Sequence, residues 1–200
     1  MRLTRSSFLA LLAAVLPLAA SAHVGVDGAA HHSIGFVQGF LHPFTGVDHL
    51  AAMVGVGLWS ALAARGARDL VWAPLGFAAM LLVGALLGLA GLQVPAVEPM
   101  IAASLVVIGL LVATRLRLPG ALAAAVVGAF AVFHGVAHGF ELAGDSGAAV
   151  ALAGMVLATL MLHLSGIALG WTLRHRGTVL PRIAGAAVAL LGIALIAQVA

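Results

Sequence analysis

The 200-residue chain has no cysteine and no tyrosine, and all nine of its basic residues are arginine. Without cysteine, neither a disulfide framework nor a thiolate metal site is available, and the composition carries no mark of redox compartment. Charge is scarce as well: 8% of residues, against about 25% in an ordinary soluble domain, while 64% are hydrophobic and mean hydropathy is +1.21. Such a chain cannot cover a water-facing surface, so the composition predicts an all-α integral membrane protein. The excess of nine arginines over six acids reads as a topology signal, with no nucleic acid among the expected partners.

Arg2 and Arg5 precede an apolar run from Phe8 to Leu18 and then the small-residue sequence ending at Ala22. This pattern predicts a secretory signal peptide over 1–22, so the mature chain begins at His23. An uncleaved first span is the alternative, but the run is short for the roughly 20 residues a span needs. Beyond it, apolar windows near 47–64, 71–90, 96–114, 121–140, 148–171 and 183–199 predict a single six-helix transmembrane domain over 23–200. If the mature N-terminus is exported, Arg65 and Arg68, then Arg115 and Arg117, then Arg174, Arg176 and Arg182 all fall on the cytoplasmic side. That is what the positive-inside rule asks, and it puts both mature termini on the exported side. Gly84 with Gly88 and Gly166 with Gly170 make small-xxx-small pairs, which predict a tight bundle with little room for a large substrate and are compatible with a homo-oligomer.

Nine histidines remain to be explained. His42, Asp48 and His49 lie in "HPFTGVDH" at the mouth of the first window, where Pro43 and Gly46 are expected to interrupt helical continuity. That break lets His42 approach from outside the helix while Asp48, His49 and, one turn on, Met53 approach from within it. His134, His138 and Glu141, in "FHGVAHGFE", recur at intervals of four and three and so share one helical face near a helix C-terminus, with Asp145 expected to extend the ladder. Both clusters belong to the same side of the membrane. Ionisable groups inside a span are costly and default to functional readings. Structural alternatives stand beside them: "TGVD" also reads as a capping box with Thr45 as N-cap and Asp48 as partner. His163, deep in the fifth window, is as readily a neutral histidine bonded to a neighbouring helix as a ligand. His31, His32 and His175 read as solvated loop residues, and His23 offers an imidazole beside a free amine.

Imidazole and carboxylate without thiolate suit a divalent first-row metal such as nickel, cobalt, zinc or iron. At this point the residues resemble a known family. "HPFTGVDHLAAM" and "FHGVAHGFE", in a six-helix chain behind a signal peptide, are similar to the HupE/UreJ family of hydrogenase and urease accessory proteins. The resemblance implies a nickel, or cobalt, permease of the bacterial inner membrane that supplies metalloenzyme maturation, with His42, Asp48 and His49 in one motif and His134, His138 and Glu141 in the other. The ion is then cargo; no prosthetic group and no enzymatic activity are expected. The expected route runs from a histidine-bearing N-terminus to the first cluster, across the bundle to the second, and on to His163. An intramembrane zinc hydrolase using the same cluster, with Glu141 as general base and Ser165 assisting, is the competing class.

Overall fold

A computed structural model describes residues 34–199; the expected signal peptide, His23, His31 and His32 lie outside the described residues. Those residues form seven helices and no strand: α1 (Phe36–Thr45), α2 (Val47–Ala63), α3 (Asp69–Leu89), α4 (Val97–Thr114), α5 (Gly120–Glu141), α6 (Ala148–Leu173) and α7 (Val179–Val199). Helices α3 to α7 are each long and apolar enough to cross a membrane. The protein is therefore a membrane protein, and the leucines and valines exposed along α3, α6 and α7 are lipid-facing rather than anomalous.

The pair α1 and α2 meets the same length and hydropathy test only together, bent by 85°. The sequence led us to expect Pro43 and Gly46 to break the helix jointly. Helix α1 instead runs through Pro43 and stops at Gly46, whose backbone is extended at φ −91° and ψ 118°. Proline near a helix end removes only the hydrogen bond that would reach back to the Gly39 carbonyl, and α1 tolerates the loss. The capping-box reading of "TGVD" also fails. Thr45 turns its hydroxyl back onto the His42 carbonyl at 2.7 Å, and Gly46 is the N-cap of α2 with no side-chain cap, which leaves Asp48 free for other work.

Short connections between the long helices alternate between two ends of the bundle. At one end, the Trp59 indole donates to the Leu116 carbonyl (2.9 Å), the Ser60 hydroxyl to Leu70 (2.8 Å), and the Arg115 guanidinium to Gly177. These bonds gather the three arginine-bearing connections. The start of α2 and the end of α5 lie at the other end, where the histidines are.

Glycine governs how the helices meet. A Cβ on Gly84 would strike the Val132 carbonyl, and one on Gly135 or Gly139 would strike the carbonyls of Leu81 or Ala85, so α3 and α5 touch backbone to backbone. Gly57 and Gly166 do the same for α2 and α6, Gly109 and Gly185 for α4 and α7, and Gly39 and Gly154 for α1 and α6. In lipid, where apolar surface gains nothing by leaving its solvent, close contact of this kind carries much of the association. Both pairs read from the sequence as small-xxx-small, Gly84/Gly88 and Gly166/Gly170, lie on these seams.

Candidate functional site

In "FHGVAHGFE" each histidine precedes a glycine, and the helix explains why. Gly135 and Gly139 form the stripe that seats α5 on α3; His134 and His138, rotated by about 100° on the 3.6-residue helix, point off that seam into the bundle. Both imidazoles are fully buried. Glu141, one turn beyond His138, is 49% exposed at the rim.

Helices α1 and α2 bring the other cluster onto the same spot. The His42 ring lies 4.8 Å from that of His138, and the His49 ring 4.5 Å from His138 and 4.9 Å from His134, centroid to centroid. Glu141 Oε2 stands 3.4 Å from His42 Nε2 and 3.6 Å from His138 Nδ1. The ligand atoms of His42, His138 and Glu141 all fall within 4.8 Å of one another. With metal–ligand bonds of about 2.1 Å, two atoms on one ion sit roughly 3 to 4 Å apart, so small side-chain adjustments bring all three onto a single cation. The two sequence motifs are therefore one site. The expected passage across the bundle from one cluster to the other is corrected: His49 is in ring contact with both histidines of α5.

Hydrogen bonds assign the tautomers below the rim. The His49 Nδ1–H donates to Asp48 Oδ1 at 3.0 Å, and the same oxygen accepts the His49 backbone N–H at 2.9 Å. The Nε2 lone pair of His49 is left buried and unpartnered. Ser104 of α4 donates its hydroxyl proton to the Ile101 carbonyl at 2.6 Å, so at 3.0 Å from His134 Nε2 it can only accept. His134 must then carry its proton on Nε2 and present a free lone pair at Nδ1, which is also buried without a partner, as are both nitrogens of His138. Buried polar atoms are nearly always bonded; the four unpartnered ring nitrogens of His49, His134 and His138 are the atoms through which α2 and α5 could hold a ligand. A histidine whose second nitrogen is held by a carboxylate or hydroxyl is the usual arrangement at a metal.

The HupE / UreJ protein family matches residues 10–195. The chain belongs to this family. Protein HupE of Rhizobium leguminosarum bv. viciae is 43% identical to it over 188 residues, 93% of this chain and 94% of that protein. No solved structure matches the chain.

Other sequence expectations fare differently in this HupE/UreJ chain. Asp145 is no rung of the ladder: beyond the end of α5, its carboxylate accepts the Ile34 N–H through both oxygens at 3.2 Å and the Gly147 N–H at 2.6 Å. It ties the start of α1 to the α5–α6 connection and so holds His42 over α5. Met53 is fully buried in the apolar core one turn below His49. His163 is buried in α6, and neither of its nitrogens has a partner, so the neighbouring-helix hydrogen bond weighed as its alternative is not formed. Ser165, the helper of a hydrolytic reading, faces outward and bonds to the Met161 carbonyl of its own helix at 2.9 Å. Ser104 was missed by sequence reasoning. Its only signal is a hydroxyl near the middle of an apolar window whose other polar residues, Glu98 and Thr114, lie toward its ends.

Proposed function

We propose that the chain is a permease for a divalent transition metal ion, nickel or cobalt, moving it across the bacterial inner membrane into the cytoplasm to supply hydrogenase or urease maturation. The observation that carries this reading is the graded cluster: His42 and Glu141 are the most exposed, at the rim, His49 is less so, and His138 and His134 are fully enclosed, the three inner rings with unpartnered nitrogens. Membership of the HupE/UreJ family supports it. In the proposed topology α1 and α2 make one broken span and the bundle crosses six times, with both termini periplasmic and the arginine-bearing end inside.

A hydrated ion meets Glu141 first, where a carboxylate at a helix C-terminus attracts a cation. His42 and His138 then replace two of its waters, and the Nε2 of His49 and Nδ1 of His134 offer the next ligands inward. Each transfer exchanges one imidazole for another at nearly equal energy, so the ion is held well enough to enter and loosely enough to leave. No chemical step is assigned to the cluster. An inside-negative potential favours entry of a divalent ion by about 4.6 kcal/mol per 100 mV, which suffices to drive uptake without nucleotide hydrolysis.

Uptake of radioactive nickel into proteoliposomes under an imposed inside-negative potential tests this reading, with cobalt and zinc as competitors. Wild-type protein accumulates nickel in proportion to the potential, and His49→Ala and His138→Ala reduce the initial rate at least tenfold. Folded wild-type protein that binds nickel and does not move it would refute the permease.

A further inference from the structure

Below the rim cluster, the middle of the bundle holds two more polar side chains with nothing to bond. His163 is 1% exposed and Thr159 is fully buried; neither nitrogen of the one nor the hydroxyl of the other has a partner. They lie one turn apart on the same face of α6, Thr159 nearer the histidine-bearing end. A buried threonine in a helix normally satisfies itself on a carbonyl of the preceding turn. Every other serine and threonine within the described helices has found a carbonyl: Thr45 on His42, Ser60 on Leu70, Ser104 on Ile101, Thr114 on Leu110, Ser165 on Met161 and Thr172 on Leu169. Thr159 alone departs from this, and it does so beside an imidazole with two free nitrogens.

Depth places this pair further along the same route. Gly57 of α2 abuts the His163 carbonyl, and Gly57 is eight residues, about 12 Å of helix, along α2 from His49. The fully buried Phe77 ring of α3 links the two levels, 5.6 Å from the His134 ring and 5.3 Å from that of His163.

We propose that His163 and Thr159 form a second, mid-membrane station for the divalent cation, reached from His134 past the Phe77 side chain. The inference rests on the permease reading. An imidazole nitrogen, a hydroxyl oxygen and retained waters make a weak, hard-to-intermediate ligand set, one that accepts the ion from the imidazole-rich cluster and releases it inward. Phe77, apolar and wedged against both imidazoles, is the barrier whose displacement lets the ion pass from one level to the other.

The test pairs nickel uptake into proteoliposomes with nickel binding to the same purified protein by equilibrium dialysis. In His163→Ala, uptake falls at least tenfold while the tightest binding, at the rim cluster, stays within about threefold of wild type. His163→Gln, which restores hydrogen bonding but coordinates metal poorly, does not recover uptake. Uptake by His163→Ala at more than half the wild-type rate would overturn the second station; so would recovery in the glutamine variant, which would make His163 a hydrogen-bonding or water-holding residue, and so would loss of binding together with uptake. Should both His163 variants fail to fold, the isosteric Thr159→Val decides: a rate lowered at least threefold supports the station and an unchanged rate overturns it. If wild-type protein neither binds nor moves nickel, the permease reading fails first, and His49→Ala beside wild type separates that outcome from the others.

Discussion

His49 and His134 each have one nitrogen committed by a neighbour, and the neighbours differ in kind. Asp48 accepts from His49 Nδ1 through a carboxylate and fixes the ring's tautomer, whereas Ser104 holds His134 through a neutral oxygen whose proton is already spent on Ile101. Removing the serine hydroxyl frees His134 to adopt either tautomer and to rotate. Ser104→Ala should therefore weaken nickel binding by about 10- to 100-fold, the range seen when the outer partner of a ligating histidine is lost, without altering the fold; titration of purified protein with nickel checks it, and unchanged affinity would mean that His134 is not a ligand. The α5 residues of the cluster were legible in sequence because oxygen and nitrogen donors at intervals of three and four stand out in an apolar chain. Ser104 was not, since its partner is 30 positions away and no local spacing relates them.

Helix α1 is the element on which the rim depends. It rests on α6 through Gly39 and Gly154, and its start is pinned by Asp145. Gly39→Val drives a branched side chain into the Ala151 carbonyl and lifts α1, taking His42 away from His138 and Glu141. Asp145→Ala releases the same helix at its other anchor. Both variants are expected to lose at least tenfold in nickel uptake while α2 to α7 keep their helical content by circular dichroism; a wild-type rate in either would show that α1 does not position the site. The seam between α3 and α5 behaves differently, because it is structural throughout its length. A side chain at Gly139 meets the Ala85 carbonyl directly, and overpacking of this kind costs about 1–3 kcal/mol or more. Gly139→Leu should lower the thermal midpoint in detergent by several degrees or abolish folded protein, whereas Gly91→Ala, in open space but at φ 81°, should cost only about 1 kcal/mol of backbone strain. The helices themselves were readable from apolar windows. The 85° bend between α1 and α2 was not, since Pro43 and Gly46 read from the sequence as a joint break, whereas α1 runs through Pro43 and the turn at Gly46 depends on how Asp48 and His49 fold back over it: a Cβ there would lie 2.8 Å from Asp48 Oδ1.

Across the whole molecule, the arginines at one end and the histidine cluster at the other make a polarity that can be mapped directly, because a chain with no cysteine is ready for single-cysteine labelling. A membrane-impermeant maleimide applied to intact cells should label Ser146→Cys, in the α5–α6 connection, and should reach Ala67→Cys, in the α2–α3 connection, only after permeabilisation. The reverse pattern would invert the proposed topology and turn the cluster toward the cytoplasm.

What the sequence determined by itself is whatever depends on composition and short spacing. A chain this poor in charge must live in lipid, lipid admits only internally bonded helices here, and a ligand placed every three or four residues must share a face of one of them. What only the tertiary structure decided is what depends on two distant segments meeting. It merged the two motifs into one cluster, turned Asp145 from ligand to anchor, supplied Ser104, and left Thr159 unpaired and His163 unpaired beside Phe77. Those outcomes follow from glycine seams that set which backbones touch and at what rotation. Local spacing fixes the face a residue occupies on its own helix, and says nothing of what that face will meet.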